Sequence, residues 1–558
     1  MSTEQAPVSD DELRSWPHFL GLYAAEHVAA TEFVIGATFV ALGARTGDIL
    51  LGLLIGNVLA ILSWTLITTP IAVDTRLSLY TYLGRIAGDS MTKLYNWANV
   101  VIFTVISAAM ITVSATAVRF ALDIPAQLDW YPTNGWFVLV VLAVGAVVVL
   151  VATFGFRTVS DFADICAPWL FTMFVSGALV LLPALAEAVI GTTVVGSWGD
   201  FLEIGSGSIW TGVTSDGEPG IGLLEVTGFA WAANTITHVG LIDMALLRFA
   251  KKKWYGLTTA SGMLFGHYVA WIAAGIMGAG TGVILGQQIV ELDPGDVAYY
   301  ALGLSGFVIV IVAGWTTANA NLYRAGLAAQ AIFPRYTRER TTLVVGLATV
   351  VIACFPFVFS TILPLLVYAG LLVVPVGAIV FAEHQVFPRV GLSRYWAARR
   401  GLARNVPAIA AWGLGLALGA VLDVTGVISF YYIFVPVWLF TIVAYTAMAA
   451  RAGARSADEA PGAEPVVTPE QAVEAARSDD GRAEEAPRDA LATALRAVSV
   501  VALVVALAFA AVTLLGSPDT ASYEANRDAF YTYGFVCTLV YFTTAYAAMR
   551  RRKATAHS

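Results

Sequence analysis

Near the middle of a long apolar stretch the chain reads Gly314-Trp315-Thr316-Thr317-Ala318-Asn319-Ala320-Asn321-Leu322-Tyr323, two hydroxyls beside two carboxamides. Bare amides inside a bilayer are costly unless they face a partner, a water-filled cavity or a bound solute. A second polar cluster, Glu26, His27, Thr31 and Glu32, interrupts the first apolar stretch. At about 1.5 Å per residue from His18 it lies roughly 12 to 21 Å deep. A third falls between residues 221 and 249, where Gly228 and Gly240 flank Trp231, Asn234, Thr237 and His238. Carboxylates, imidazoles and amides at that depth ligate solutes or carry coupling protons; equally, they form buried structural networks or glue between helices. The threonines have a plain alternative as well, a bond to the carbonyl one turn back.

The elements that hold these residues are membrane helices. Hydrophobic residues make up 58% of the chain and charged ones 13%, mean hydropathy is +0.75, and apolar runs of spanning length recur throughout the 558 residues. Spans are predicted near 18–43, 48–72, 96–121, 135–154, 162–191, 221–249, 256–286, 298–331, 342–359, 362–383, 407–425, 429–450, 491–515 and 529–549, about fourteen in all. Polar, acidic Met1 to Trp16 leads straight into the first of them without a cleavage-type site, so that helix is expected to be retained.

Orientation follows from the Lys/Arg census. Arg76, Arg85, Lys93, Arg157, Lys251-Lys252-Lys253, Arg335, Arg338, Arg340, the group from Arg389 to Arg404, and Arg550-Arg551-Arg552-Lys553 all fall on one side. The opposite loops carry Asp123, Asp129, Asp200, Glu203, Asp293 and Asp296, with Arg45 and Arg527 the exceptions. A multi-pass protein of the cell membrane with both termini cytoplasmic is the expectation. A net charge of −8 disfavours nucleic acid as a partner. Cys166, Cys354 and Cys537 sit in apolar segments at no metal-ligand spacing and read as small hydrophobes.

Domain organisation reads as a cytoplasmic tail (1–17), a twelve-helix body (18–450), an acidic linker (451–490), a two-helix appendix (491–549) and a basic tail (550–558). The linker is too rich in Ala, Glu, Asp and Pro to bury a core, so disorder is expected there. The polar interruptions stand in the first and sixth spans, five apart. An inverted five-plus-five helix repeat whose first helix is unwound in each half predicts that separation.

Three segments carry a resemblance: Trp315-Thr316-Thr317 with the Asn-containing tetrad and Leu322-Tyr323-Arg324-Ala325-Gly326-Leu327; Leu54-Ile55-Gly56-Asn57; and Val374-Pro375-Val376-Gly377-Ala378-Ile379-Val380-Phe381-Ala382-Glu383-His384. Over roughly residues 18 to 450 the chain resembles the nucleobase:cation symporter family, the purine/cytosine permease-like secondary transporters. The resemblance implies an all-α fold of two inverted five-helix repeats plus two helices, here with two more at the C-terminus. It also implies alternating-access uptake of a nucleobase-like solute, coupled to sodium in preference to protons and with no enzymatic cofactor. Carried over, the Na+ ligands are the hydroxyls of Thr316 and Thr317, the carbonyl of Ala313 and carbonyls from about Ala29 to Glu32, an oxygen set that suits a hard cation. Trp231 takes the family's ring-stacking position and Asn319 or Asn321 its amide-reading one.

The chain also departs from the family. Ser107, Thr112 and Ser114 stand in the third span where hydantoin-transporting relatives place a Trp and a Gln. Ala318 replaces an Asn, and Asp243 lies too far from Arg248 for the family's Asp-x-x-Arg. Glu26, His27 and Glu32 have no family counterpart. Glu26 and Glu32 are therefore coupling candidates, with His27, His238 or His267 as possible partners; Thr31, Glu32, Asn234 and His238 join the solute-binding candidates. A channel needs a continuous polar stripe, and an enzyme needs a catalytic set that six scattered histidines do not supply. The alternatives left open are a solute-binding membrane sensor and a proton-coupled transporter of another small polar solute.

Overall fold

The computed structural model describes residues 7–154, 156–455, 468, 471 and 489–556. Its first span is two short helices, α1 (Trp16–Glu26) and α2 (Thr31–Ala41), separated by a non-helical turn at His27 to Ala30. The second span, α3 (Thr46–Ser63), passes through a π-helical turn at Trp64–Thr68 into α4 (Thr69–Thr75). Next come α5 (Leu79–Ala121), α6 (Gly135–Phe154), α7 (Phe156–Ile190) and a short connecting helix, α8 (Trp198–Ile204). The sixth span is again divided, into α9 (Leu223–Val239) and α10 (Met244–Leu247). The seventh begins with a tight turn and a π-helical stretch, Ser261–Val269, before α11 (Ala270–Leu285).

The short α12 (Pro294–Leu302) leads into α13 (Leu304–Ile332), the helix of the paired threonines and asparagines. The body closes with α14 (Arg338–Ala353), α15 (Phe357–Ser360), α16 (Ile362–Phe381), α17 (Trp396–Arg399), α18 (Val406–Thr425) and α19 (Phe434–Ala449). A final pair of helices covers Ala490–Leu515 and Thr520–Ala556.

Ten helices among the described residues are long and apolar enough to cross a membrane. Of the spans predicted from sequence, the first and sixth fall outside that set because they are broken, and the ninth because α14 has only 16 residues. The last falls outside it because tyrosines and threonines dilute its apolar stretch, AFYTYGFVCTLVYFTTAYAAM. The third span starts at Leu79 rather than near 96, since Gly88, at φ 77°, lets an amphipathic lead-in turn into the helix. Most of the 451–490 linker lies outside the described residues.

Close approach between spans comes from small residues, as it must where apolar burial gives helices no advantage over lipid. A Cβ at Gly314 would lie 2.2 Å from Ser114 Oγ and 2.9 Å from the Met110 carbonyl, so α13 lies directly on α5. Gly56 meets Ala230 and Thr227 of α9 in the same way. A third seam holds the first span's break against the seventh span, where a Cβ at Gly266 would lie 2.2 Å from the His27 carbonyl oxygen and one at Gly262 2.7 Å from His27 Nδ1.

The C-terminal pair is docked on α7 and on the start of α13. Trp169 donates to Thr538 Oγ1 at 3.1 Å, Ser305 and Thr538 share a bond at 3.1 Å, and Tyr541 donates to the Ile165 carbonyl at 2.6 Å.

Gly266→Ala is expected to cost about 1–3 kcal/mol, because backbone rather than a movable side chain occupies the space. Thermal unfolding of the detergent-solubilised protein measures it, and an unchanged melting temperature would show that the break is not pressed against the seventh span.

Candidate functional site

The two breaks meet around one indole. Trp64, in the π-helical turn of the second span, donates Nε1–H to Asp243 Oδ2 in the sixth span's break and packs edge-on to His27 (ring centroids 5.7 Å apart) in the first span's break. Leu241 beside Asp243 is fully buried at φ 64°, a left-handed conformation that costs a branched residue of order 1–3 kcal/mol. That cost is carried by the packing around the turn.

Glu32 follows the first break and is 1% exposed. Its Oε2 accepts from Trp271 Nε1; its Oε1 accepts from Ala29 N at 3.3 Å and Thr31 Oγ1 at 3.2 Å, with His267 Nε2 at 3.8 Å. His267 stacks on Trp271 at 4.6 Å and 10°, and meets His27 edge-on at 4.9 Å. The sequence reading named His267 among the partners open to Glu32 but missed Trp271. His267 and Trp271 stand four apart on one helix, a visible spacing, but nothing local says that this face meets the first span. Glu26 ends α1 and His238 lies in α9, but both side chains fall outside the described residues.

On α13 the hydroxyls bond backward within the helix: Thr316 to the Val312 carbonyl at 2.9 Å and to the Ala313 carbonyl at 3.2 Å, Thr317 to the Ala313 carbonyl at 2.9 Å. Ala313 O thus takes two hydroxyl donors. The Ala29 carbonyl accepts from Glu32 N at 3.3 Å. The neighbours of α13 are chiefly α5, α14, α12, α7 and α6; no hydrogen bond among the described residues joins Thr316 or Thr317 to the first span.

The amides differ in what they have left to offer. Asn319, wholly buried, donates to the Trp315 carbonyl at 2.9 Å and leaves Oδ1 without a partner. Asn321 donates to the Thr317 carbonyl at 2.9 Å. Asn234 bonds across to Asn57 Oδ1 at 2.9 Å and back to the Ala230 carbonyl at 2.7 Å, its own Oδ1 also unpartnered. Trp231 donates to Ser63 Oγ at 3.1 Å and packs edge-on to Phe434 at 4.9 Å, on the side of α3 and α19.

The third span's departures from the family now have a physical account. Ser107 donates to the Ala318 carbonyl at 2.9 Å, Thr112 to the Ala353 carbonyl at 2.7 Å and Ser114 to the Ile311 carbonyl at 3.5 Å, so these hydroxyls seat α5 on α13 and α14. Bulky ring-clamping residues would not fit this seam. The tenth span's Glu383 is taken up by Tyr445 OH and Tyr395 N, and His384 bonds Tyr82 OH at 3.0 Å and Asp74 at 3.4 Å. At the opposite end of the bundle, Arg119 is held by Asp293 at 2.7 Å and Asp296 at 2.5 Å. Burial first, then the charge of Asp296, pushes the Asp293 carboxyl up against the pull of Arg119. Clefts of about 580 Å³ beside α19 and about 400 Å³ between α5 and α18 lie away from the breaks and are mostly apolar.

Broken helices whose polar groups converge within an all-α polytopic bundle define a transporter-type membrane fold. The chain shares the fold of solved transporters. It matches Mhp1 in an inward-facing conformation with a TM-score of 0.61 at 15% identity, over 82% of this chain and 96% of that one. It matches Mhp1, a nucleobase-cation-symport-1 family transporter, in a closed conformation with bromovinylhydantoin bound, with a TM-score of 0.60 at 16% identity, over 81% and 96%. A Na+-coupled sialic acid symporter in a substrate-bound outward-open state follows, with a TM-score of 0.51 at 12% identity, over 78% and 89%. No family model and no curated protein matches the sequence.

Asn234→Ala strips Asn57 Oδ1 of its donor and should cost about 1–3 kcal/mol of stability. Asn319→Ala loses only an intrahelical bond to the Trp315 carbonyl and strands no side-chain partner, so it should destabilise less than Asn234→Ala while weakening solute uptake more. Thermal unfolding and uptake measured side by side check the contrast; equal destabilisation would make both amides glue.

Proposed function

We propose that the protein is a secondary active transporter coupling a cation to uptake of a nucleobase-like or related small heterocyclic solute by alternating access. The carrying observation is the pair of broken spans bridged through Trp64, with Glu32 buried beside one break and Asp243 in the other. Interrupted helices supply main-chain groups and titratable side chains where a bundle can open to either face.

Solute chemistry follows from what the interior lacks. Asn319 and Asn234 both leave an oxygen unpartnered, so a solute seated there must bring hydrogen-bond donors, as the N–H edge of a nucleobase or hydantoin does. The fold shared with hydantoin-bound Mhp1 supports a planar solute of this class. Asn319 is the best-supported solute ligand, with Asn234, Asn321, Thr31, Glu32 and His238 as further candidates. Trp231 is the weakest, because Ser63 and Phe434 already take its N–H and ring.

For sodium, the ion that the resemblance implies, Thr316 and Thr317 retain oxygen lone pairs after donating backward. The crowding at Ala313 O weighs against that site. Orientation with both termini cytoplasmic is supported by the lysine- and arginine-bearing loops: Val8 N bonds the Arg76 carbonyl at 3.1 Å, Arg14 N the Phe249 carbonyl at 2.8 Å, and Lys253 pairs with Asp74 at 2.8 Å. A sensor reading draws on the C-terminal pair, which docks on α7 and so connects to the body.

Proteoliposomes given radiolabelled purines, pyrimidines, hydantoins and small amino acids, under a sodium or a proton gradient, test the proposal. Accumulation driven by one gradient, with counterflow of the same solute, is the expected result; binding without exchange would favour the sensor. Should sodium drive uptake, Thr317→Ala is expected to raise the half-saturating sodium concentration on the order of tenfold.

A further inference from the structure

We propose that the cleft beside α19 binds one anionic phospholipid, with acyl chain against its apolar walls and the phosphate at the arginines around it, in the leaflet on the side of the basic loops. The inference stands apart from the transport reading and needs only that the bundle sits in a bilayer.

The charge pattern at this end of the bundle is one-sided. Seven arginines and no lysine lie between Glu383 and Asp458. The single carboxylate in that stretch, Asp423, is near the far end of α18, where Tyr368 donates to it at 3.1 Å. Arginines at cytoplasmic helix ends are a common topological signal and suit the carbonyl end of a helix. What sets this group apart is the cleft beside it.

Beyond Phe381 the chain runs on from α16 through a π-helical turn (Ala382–Val386) and a tight turn (Phe387–Val390), and beyond α19 through a π-helical turn (Ala450–Ala454). Phe387 stacks on Tyr445 at 5.3 Å and 23°, and Tyr445 donates to Glu383, which fixes the two span ends side by side. Ser393 N donates to the Ala454 carbonyl at 2.7 Å and joins the loop after α16 to the end of α19. Between these ends lies the cleft of about 580 Å³, with Val390, Gly391 and Leu392 on one wall and Val443, Ala447 and Ala450 on the other. That volume falls within the range of about 300–1,000 Å³ usual for ligand clefts. Of the described residues that line it, only Thr446 and Arg455 are polar. Val390 is 55% and Val443 67% exposed, so the cleft opens outward from the bundle.

The cations stand where such a cleft needs them. Arg455 is among its lining residues, and Arg389 directly precedes Val390 in the tight turn; both are exposed, as is Arg451. Arg389 donates to the Gln385 carbonyl and to Gln385 Oε1, partners that leave its charge uncompensated. The Arg400 guanidinium lies against Gly453, whose φ of 113° suits glycine alone, two residues before Arg455. Among the described residues no carboxylate pairs with Arg389, Arg451 or Arg455. Guanidinium forks match phosphate oxygens, and a cluster of them favours a head group of net negative charge over a zwitterionic one. A free phosphate ion would use the arginines and gain nothing from the apolar walls, whereas a phospholipid uses both.

Native mass spectrometry of the purified full chain, exchanged into mild detergent with phosphatidylglycerol and phosphatidylcholine at equal concentration, reads which lipid stays bound. The wild type should retain one phosphatidylglycerol in roughly tenfold preference to phosphatidylcholine. Arg389→Gln combined with Arg455→Gln should bring that preference within about twofold. Arg335→Gln combined with Arg340→Gln removes as much charge from another basic loop on the same side and should leave the preference intact. Ala447→Trp keeps every charge but fills the cleft, and should lose the retained lipid. Should Ala447→Trp fail to fold, melting in nanodiscs carries the test: replacing about a fifth of the phosphatidylcholine by phosphatidylglycerol should raise the wild-type melting temperature by about 2–4 °C and that of the Arg389/Arg455 variant by less than about 1 °C. An equal loss of preference in the Arg335/Arg340 variant, or retention that survives Ala447→Trp, marks a diffuse charge effect and overturns the site. A wild type without any preference overturns it too; if one then appears with Asp458→Asn and Glu459→Gln, the arginines belong to the acids that follow them in the chain.

Discussion

A helix interrupted inside a bilayer exposes main-chain groups that lipid cannot satisfy, and the rest of this structure follows from how the first interruption is held. The turn at His27 to Ala30 survives because the seventh span presses its own main chain against it at Gly262 and Gly266, where no side chain fits. The same contact brings His267 and Trp271 to Glu32. A π-helical stretch at Ser261–Val269 widens the seventh span there, so the backbone irregularity of one span is matched by that of its neighbour.

Around this seam many of the bundle's polar groups serve packing. Hydroxyls of the third span, the Asn57–Asn234 pair and the Glu383–Tyr445 contact are spent on joining helices. Arg119 with Asp293 and Asp296 ties the end of α5 to the loop before α13, a buried cluster in which a lone partner would be far costlier than the set. Asn319 Oδ1 and Asn234 Oδ1 are among the buried acceptors that no neighbouring described group takes up.

The C-terminal helices belong to the same mechanical unit as the body. Thr538 stands where α7, the start of α13 and the Thr520–Ala556 helix meet, bonded to Trp169 and Ser305 together. Any motion of α7 relative to α13 must therefore carry or shear this junction, which ties the pair to the rest of the bundle.

Apolar run lengths fixed the all-helical membrane class, and polar residues at forbidding depth marked the first, sixth and eighth spans, because hydrophobicity and burial cost are properties of residues in order along a chain. Glu32 was legible for that reason. Its partners were legible only as residue types: His267 and Trp271 read as an ordinary helical pair until the seventh span met the first. The roles of the third-span hydroxyls and of Asn234 were hidden in the same way, since whether an amide or hydroxyl is glue or ligand depends on which backbone carbonyl lies within about 3 Å of it. The break points were foreshadowed by polar and glycine residues, but Leu241 at positive φ and the π-helical turns were not, because non-local packing imposes them against local preference. Sequence order settled the solvent and the spans; only the tertiary contacts, made between residues hundreds of positions apart, decided which polar groups were already satisfied and which were left to act.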